Sequence, residues 1–285
     1  MCKISIIIPT YNSAGLVSEA IESVLSQTFF DYEIIVIDDG STDNIKDCIK
    51  KYSGKIKYFF QNNQGPAAAR NNGIKYSKGE YISFLDADDL WTEEYLNKTF
   101  NLIAKNNLDV VITDYYVDYY DSNDIFLKRE YKDRVNLVTD NNSKLYTQLF
   151  KRFQGGFEGT TAMLIKKKCF ETIGKFDEKL RILEDWDFWL RIAKGNFKIG
   201  HLREPLWIYR RHANSLCRNK ANARLKFKNI YYAFEKNKKE AFKINKLLLK
   251  NYKDTFWMLG LDSILKRIDL FLGIKFILKS QLSVY

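Results

Sequence analysis

The sequence predicts an α/β protein with a mostly parallel sheet flanked by helices and followed by a basic helical tail. Three observations carry this reading. Strand-like and helix-like stretches alternate through the first hundred residues, as βαβ units require. Three of the strand-like runs stop abruptly at turn or acidic residues, around Pro9, Asp38 and Asp86, where the carboxyl edge of a sheet would lie. Charge is also divided along the chain. Residues 1–209 carry 28 basic and 30 acidic side chains, whereas residues 210–285 carry 18 and 5, so the whole of the net +11 comes from the last quarter. Such an asymmetry describes a catalytic body with a tail addressed to an anionic surface.

The elements follow in order. Residues 4–9 form a first strand, and Leu16, Ala20, Ile21, Val24 and Leu25 recur at helical spacing behind the capping candidates Asn12 and Ser13. A strand over 34–37 leads to a helix over about 42–52, and a third strand spans 56–61. Gly65 and Pro66 then open a small-residue helix, with Pro66 near its first position. The next strand, 81–85, ends in Asp86, Asp88 and Asp89, of which Asp89 is expected to cap a helix over about 92–106. Residues 109–131 read as β. A polar linker over 139–143 leads to a short helix, a Gly-rich loop over 154–161 and a strand over 162–165. A helix over 183–195 and two short strands, 199–202 and 206–209, precede a helical, basic remainder.

Composition bounds the function. At 285 residues with 46% hydrophobic content, the chain supports one large domain, or one with an appendage. An aromatic content of 15% suits a sugar-handling surface as well as core packing. Cys2, Cys48, Cys169 and Cys217 show neither CxxC nor His-paired spacing and read as reduced thiols, without a zinc site or disulfide framework. The first strand leaves no room for a signal peptide, and no apolar run reaches the length of a membrane span. The expectation is a cytoplasmic protein.

The chemistry sits at the strand ends. Three carboxylates within four positions, Asp86, Asp88 and Asp89, repel one another and call for a cation. Hard Mg²⁺ or Mn²⁺ takes oxygen ligands and commonly shares them with a phosphate. Asp38 and Asp39 repeat the layout, followed by Gly40 and Ser41. Ligands of open α/β sheets bind outside the carboxyl ends of the strands, so Tyr11, Asp38, Asp39, Asp86 and Asp88 on one rim describe a nucleotide site. Further on, Glu184, Asp185 and Asp187 open a helix. Each is a candidate general base, and each is also a residue that a helix dipole favours in its first turn.

The segments SIIIPTYN, IIVIDDGSTD, GPAAARNNGI, YISFLDADD and EDWDFWLR occur in one order and spacing. On these motifs residues 3–215 resemble the family 2 glycosyltransferases, inverting nucleotide-sugar enzymes of the Rossmann-like GT-A fold. The resemblance implies a glycosyltransferase domain over 1–215 and a basic amphipathic extension over 216–285. It implies a UDP-sugar donor whose uracil meets Pro9, Tyr11 and Asp39. Arg70 would reach the base carbonyl or the diphosphate, and Asp86 the ribose. A divalent cation, Mn²⁺ or Mg²⁺, would be held by Asp88 and His212. Asp185 would be the catalytic base, with Asp187 and Glu184 as alternatives. Gly159, Glu184 and Trp186 would line the acceptor and sugar region. The implied role is hexosyl or N-acetylhexosaminyl transfer to a glycan or lipid-linked acceptor in assembly of a bacterial surface polysaccharide. The loop over 154–161 and the Tyr-rich 109–131 region are expected to shape donor and acceptor choice, and His201 receives no role.

In the tail, Leu261, Ile264, Leu265, Ile268, Phe271 and Leu272 recur at helical spacing. Such a helix docks on its own protein or on a bilayer. The basic stretch over 210–253 favours an anionic membrane surface, at the inner face of the plasma membrane. Two other readings fare worse. A nucleotidyltransferase needs a Gly-rich triphosphate loop after the first strand, where this chain has Pro9-Thr10-Tyr11-Asn12. A nucleic-acid-binding module leaves the acidic strand ends without a purpose, so no nucleic-acid partner is expected.

Overall fold

The computed structural model describes residues 2–121, 123–133, 160–161 and 163–211, together with 225, 228–229, 232–233 and 235–237. Among these, the sheet has nine strands: β1 (Ile4–Thr10), β2 (Tyr32–Asp38), β3 (Ile56–Phe60), β4 (Tyr81–Phe84), β5 (Leu90–Trp91), β6 (Val110–Tyr120), β7 (Phe126–Lys132), β8 (Met163–Lys166) and β9 (Ile199–Arg211). The spatial order is β3-β2-β1-β4-β8-β6-β9-β5, with β7 on β6. The first four strands of that order are mutually parallel. β8 then runs antiparallel between β4 and β6, and β9 is parallel to β6.

Burial on both faces explains the unbroken aliphatic runs of β1 and β2. Successive side chains of a strand point to opposite faces. Ile4, Ile6 and Ile8 accordingly pack with Val17, Ala20, Ile21 and Val24 of α1 (Val17–Leu25). Ile7, Ile35 and Ile37 pack on the other face with Ala67, Ala69 and Ile74 of α3 (Pro66–Tyr76). α3 lies so close to β1 that a Cβ on Gly73 would come within 2.3 Å of Ile7 Cγ2. Among the described residues up to 211, the remaining helices are α2 (Ile45–Ile49), continued by a 3₁₀ turn at Lys50–Tyr52, α4 (Tyr95–Lys105), α5 (Lys168–Ile173) and α6 (Glu184–Lys194).

The register brings the functional loops together. Thr10 pairs with Asp38 and Ile7 with Phe84, so Tyr11, Asp39 and Asp86 leave their strands on one rim.

Three expectations are revised. α4 begins at Tyr95, because Leu90 and Trp91 pair with Ile208 and Trp207 as an edge strand. Asp89 therefore caps no helix; it is 2% exposed and accepts the backbone N–H of Arg210. The two short strands near the end are one strand, β9. Its pairing with β6 slips between Leu202 and Trp207, and the irregularity accommodates Pro205, which has no N–H for a regular ladder. The expected short helix after 143 and the tail helix beyond 255 lie outside the described residues. Among the described residues, no helix is long and apolar enough to cross a membrane.

Described residues of the basic extension do pack on the body. Ala233 is fully buried in the same core cluster as Trp186 and Phe188. Tyr232 and Lys236 both reach Asp177, and Lys236 and Asn237 reach Asp187.

Candidate active site

At the end of β2, the Asp39 carboxylate accepts three hydrogen bonds, from Gln61 Nε2 at 2.7 Å and from the backbone N–H groups of Gln64 at 2.9 Å and Gly65 at 2.8 Å. It thereby fixes the loop into α3, where Gly65 has a φ of 97° that suits only glycine. A carboxylate offers about four acceptor positions, so one direction remains for a ligand N–H. Asp38 is wholly buried and holds Ser41 N and Tyr58 Oη, which gives this second carboxylate a scaffolding task. Tyr11 is 49% exposed at the adjoining strand end, beside partly buried Pro9. The Tyr11 ring is thus available to a flat partner.

Arg70 occupies the centre of the site. It lies on α3, 5% exposed, with Nη2 2.7 Å from Asp86 Oδ1 and Nη1 2.6 Å from Glu184 Oε1. Its Nε is buried without a hydrogen-bond partner. Burial opposes its charge, but Asp86 and Glu184 outweigh that effect and hold its pKa above the usual arginine value. The guanidinium therefore joins the acidic turn after β4 to the head of α6. Its two terminal nitrogens face protein carboxylates, where a base carbonyl or a diphosphate was expected.

α6 starts after Leu183, whose φ of 73° turns the chain sharply into the helix. This turn belongs to a loop tied to α3, where Asn71 bonds the main chain of Phe176 in both directions. Asp185 is partly exposed, and its Oδ1 accepts the N–H of Trp186 at 2.7 Å. Burial and then the charge of Glu184 push its carboxyl up to about 7, while Arg70 and the Trp186 N–H act in the opposite sense. A carboxylate that takes up and releases a proton near neutrality is suited to general base work.

The neighbours of Asp185 have other tasks. Glu184 is 7% exposed and bound to Arg70, which makes it a partner of that arginine instead of a wall of the acceptor site. Asp187 is fully buried among Arg191, Lys236 and Asn237. Trp186 is 1% exposed in the core cluster, so its ring presents no stacking face to an acceptor. Gly159 and His212 lie outside the described residues.

Asp86 and Asp88 are both partly exposed, and Asp89 beneath them is buried. Burial, then the charges of Asp88 and Asp86, raise the Asp89 pKa well above the usual range against the pull of Arg210. The oxygen donors of Asp86 and Asp88 fit a hard divalent cation, which typically takes one or two carboxylates and completes its shell with phosphate and water. Among the described residues, no three His, Cys, Asp or Glu side chains converge as a metal cage. A cation there would need the diphosphate of a ligand.

Two arrangements had no sequence signal. Arg210, 3% exposed near the end of β9, reaches Glu19 and the main-chain oxygen of Asp88. His201 Nε2 lies 2.7 Å from the fully buried Asp114, which also accepts the Tyr131 hydroxyl at the base of the β6–β7 hairpin.

A mostly parallel sheet with nucleotide-type loops on one rim and an acidic helix start joined to it through Arg70 is the architecture of a nucleotide-sugar transferase of GT-A fold. The profile of "Glycosyl transferase family 2" matches residues 5–174, and the chain belongs to that family. An uncharacterized glycosyltransferase of Rickettsia typhi is 37% identical over 192 residues, covering 67% of this chain and 58% of that protein. The poly(ribitol-phosphate) beta-N-acetylglucosaminyltransferase TarP of Staphylococcus aureus is 44% identical over 121 residues, 40% of this chain and 37% of TarP. The chain thus spans less than two thirds of either relative. The crystal structure of S. aureus TarS residues 1–349 in complex with UDP-GlcNAc superposes with a TM-score of 0.61 at 18% identity, over 91% of this chain and 83% of that one.

Proposed function

We propose that the protein is an inverting glycosyltransferase that moves a sugar from a UDP-sugar to a glycan or lipid-linked acceptor in assembly of a bacterial surface polysaccharide. The observation that carries this is Asp185: a carboxyl raised to about 7, at the head of a helix tied through Arg70 to the acidic turn. TarP is named for β-N-acetylglucosaminyl transfer and TarS was solved with UDP-GlcNAc, which favours a UDP-N-acetylhexosamine as donor.

In this reading Pro9, Tyr11 and the remaining acceptor direction of Asp39 receive the uracil, and Asp86 the ribose. Asp88 and His212 would hold Mn²⁺ or Mg²⁺, which when bound neutralises charge developing on the departing diphosphate. Asp185 takes the acceptor hydroxyl proton as that oxygen attacks the anomeric carbon from the face opposite the diphosphate. The C–O bond to the diphosphate breaks, UDP leaves, and the anomeric configuration inverts. Arg70 and Glu184 keep the base and the ribose carboxylate in fixed relation. The basic extension attracts the enzyme to an anionic membrane surface, close to a lipid-linked acceptor.

The test is a panel of UDP-sugars with crude lipid-linked acceptors, followed by UDP release and NMR of the product. One donor should give acceptor-dependent UDP and a β-linked product from an α-linked donor. An α-linked product, or nucleotide monophosphate release in place of UDP, would overturn the reading.

A further inference from the structure

We propose that Glu19, on a helix that contributes none of the expected ligand-binding residues, is a positioning residue for the divalent-cation site and acts through Arg210. The inference rests on the cation reading given above for Asp88. Arg210 grips the acidic turn from behind at two points. Its Nε donates to the main-chain oxygen of Asp88, and its own backbone N–H donates to Asp89 Oδ1 at 3.1 Å. Glu19 balances its charge from the far side, where Nη1 meets Oε2. The last nitrogen, Nη2, is buried with no hydrogen-bond partner.

The consequence follows from charge and reach. The guanidinium is always ionised and stands beside the turn that carries Asp86, Asp88 and Asp89. With Glu19 in place, the guanidinium is held to the main-chain oxygen of Asp88 and to Glu19, and makes no hydrogen bond to the Asp88 carboxylate. Without the Glu19 charge, a buried cation whose Nη2 already lacks a partner loses its counter-ion, while the turn it grips carries the carboxylates of Asp88 and Asp89. Arg210 then competes with the divalent ion for them. The cation site is weakened without the loss of any ligand.

Glu19 suits a test because its side chain is 53% exposed, so Glu19→Gln leaves the core untouched. A matched control lies one turn away on the same helix. Glu22 pairs with Lys51 and Tyr52 where Glu19 pairs with Arg210, and Glu22→Gln makes the same change in net charge. The readout is binding, not turnover: free Mn²⁺ followed by electron paramagnetic resonance during titration of protein saturated with UDP. Glu19→Gln should weaken Mn²⁺ binding by about three- to fivefold, the range an exposed ion pair supports, and Glu22→Gln should match wild type. Equal Mn²⁺ affinity in wild type and both variants would overturn the role of Glu19 while leaving the cation site intact. An equal loss in both variants would reduce the effect to net charge and also overturn it. Absence of UDP-dependent Mn²⁺ binding in wild type would remove the cation reading and this inference with it.

Discussion

Arg70 and Glu184 form a buried ion pair, Nη1 to Oε1 at 2.6 Å, that ties the helix following β3 to the helix that presents Asp185. The other arm of the same guanidinium holds Asp86 at 2.7 Å. The proposed nucleotide and acceptor sides are thus joined through one side chain, which also lowers the proton affinity of Asp185.

Removing that charge should move the pH profile. Arg70 lowers the Asp185 pKa, so in Arg70→Gln the rise of kcat/KM with pH should shift to higher pH than the wild-type rise near 7. Glu184→Gln removes a charge that raises the same pKa and should shift the rise to lower pH. Breaking the buried network should also cost about 3–5 kcal/mol in Arg70→Gln. Unmoved profiles in both variants would show that Asp185 is not the titrating group.

Stability should respond to the same carboxyl. Its folded pKa, about 7, lies above the ordinary aspartate value of 3.8, so the folded state favours the protonated form. The stability this contributes is complete below the unfolded pKa and is lost as pH rises through about 7. Asp185→Asn is neutral throughout, so its Tm relative to wild type should climb between pH 5 and pH 8. A constant difference would contradict the raised pKa.

At the other end of the cleft, Asp39→Ala leaves the N–H groups of Gln64 and Gly65 without their acceptor. A lost buried partner costs about 1–3 kcal/mol. Calorimetry should show UDP bound more tightly than GDP or ADP by wild type, and the preference lost in the variant. Equal affinity of wild type for all three would remove the uracil role.

Asp187→Ala separates scaffold from chemistry. This carboxylate is fully buried and holds Arg191, Lys236 and Asn237. Its loss should destabilise the fold by about 3–5 kcal/mol and release Lys236 and Asn237 from α6. The pH profile of the folded fraction should keep its wild-type midpoint; a moved midpoint would place Asp187 in the proton transfer.

Much of this was legible in the sequence, and the limits have physical causes. β1, β2 and β4 are buried on both faces, so their aliphatic runs announced them, and their ends placed Tyr11, Asp39 and Asp86 on one rim. Asp89 read as a cap because acids precede helices, yet only tertiary pairing of Leu90 and Trp91 with β9 reveals that α4 starts later. β9 read as two strands, 199–202 and 206–209, because a bulge that absorbs Pro205 has no local signature. Trp186 was readable in part: Trp186, Trp189, Leu190 and Ala193 follow i, i+3, i+4, i+7 spacing, a core stripe that also carries an acidic motif. The Arg70–Glu184 pair joins residues 114 apart and leaves no mark in either segment.

The central claim is that Asp185 takes the acceptor proton, and single-turnover transfer by Asp185→Asn tests it most directly, with UDP affinity measured on the same preparation. The account predicts transfer slowed by about 10²- to 10⁴-fold with UDP affinity unchanged, since the proposed nucleotide contacts come from other strands. Transfer at a near-normal rate by Asp185→Asn would contradict it.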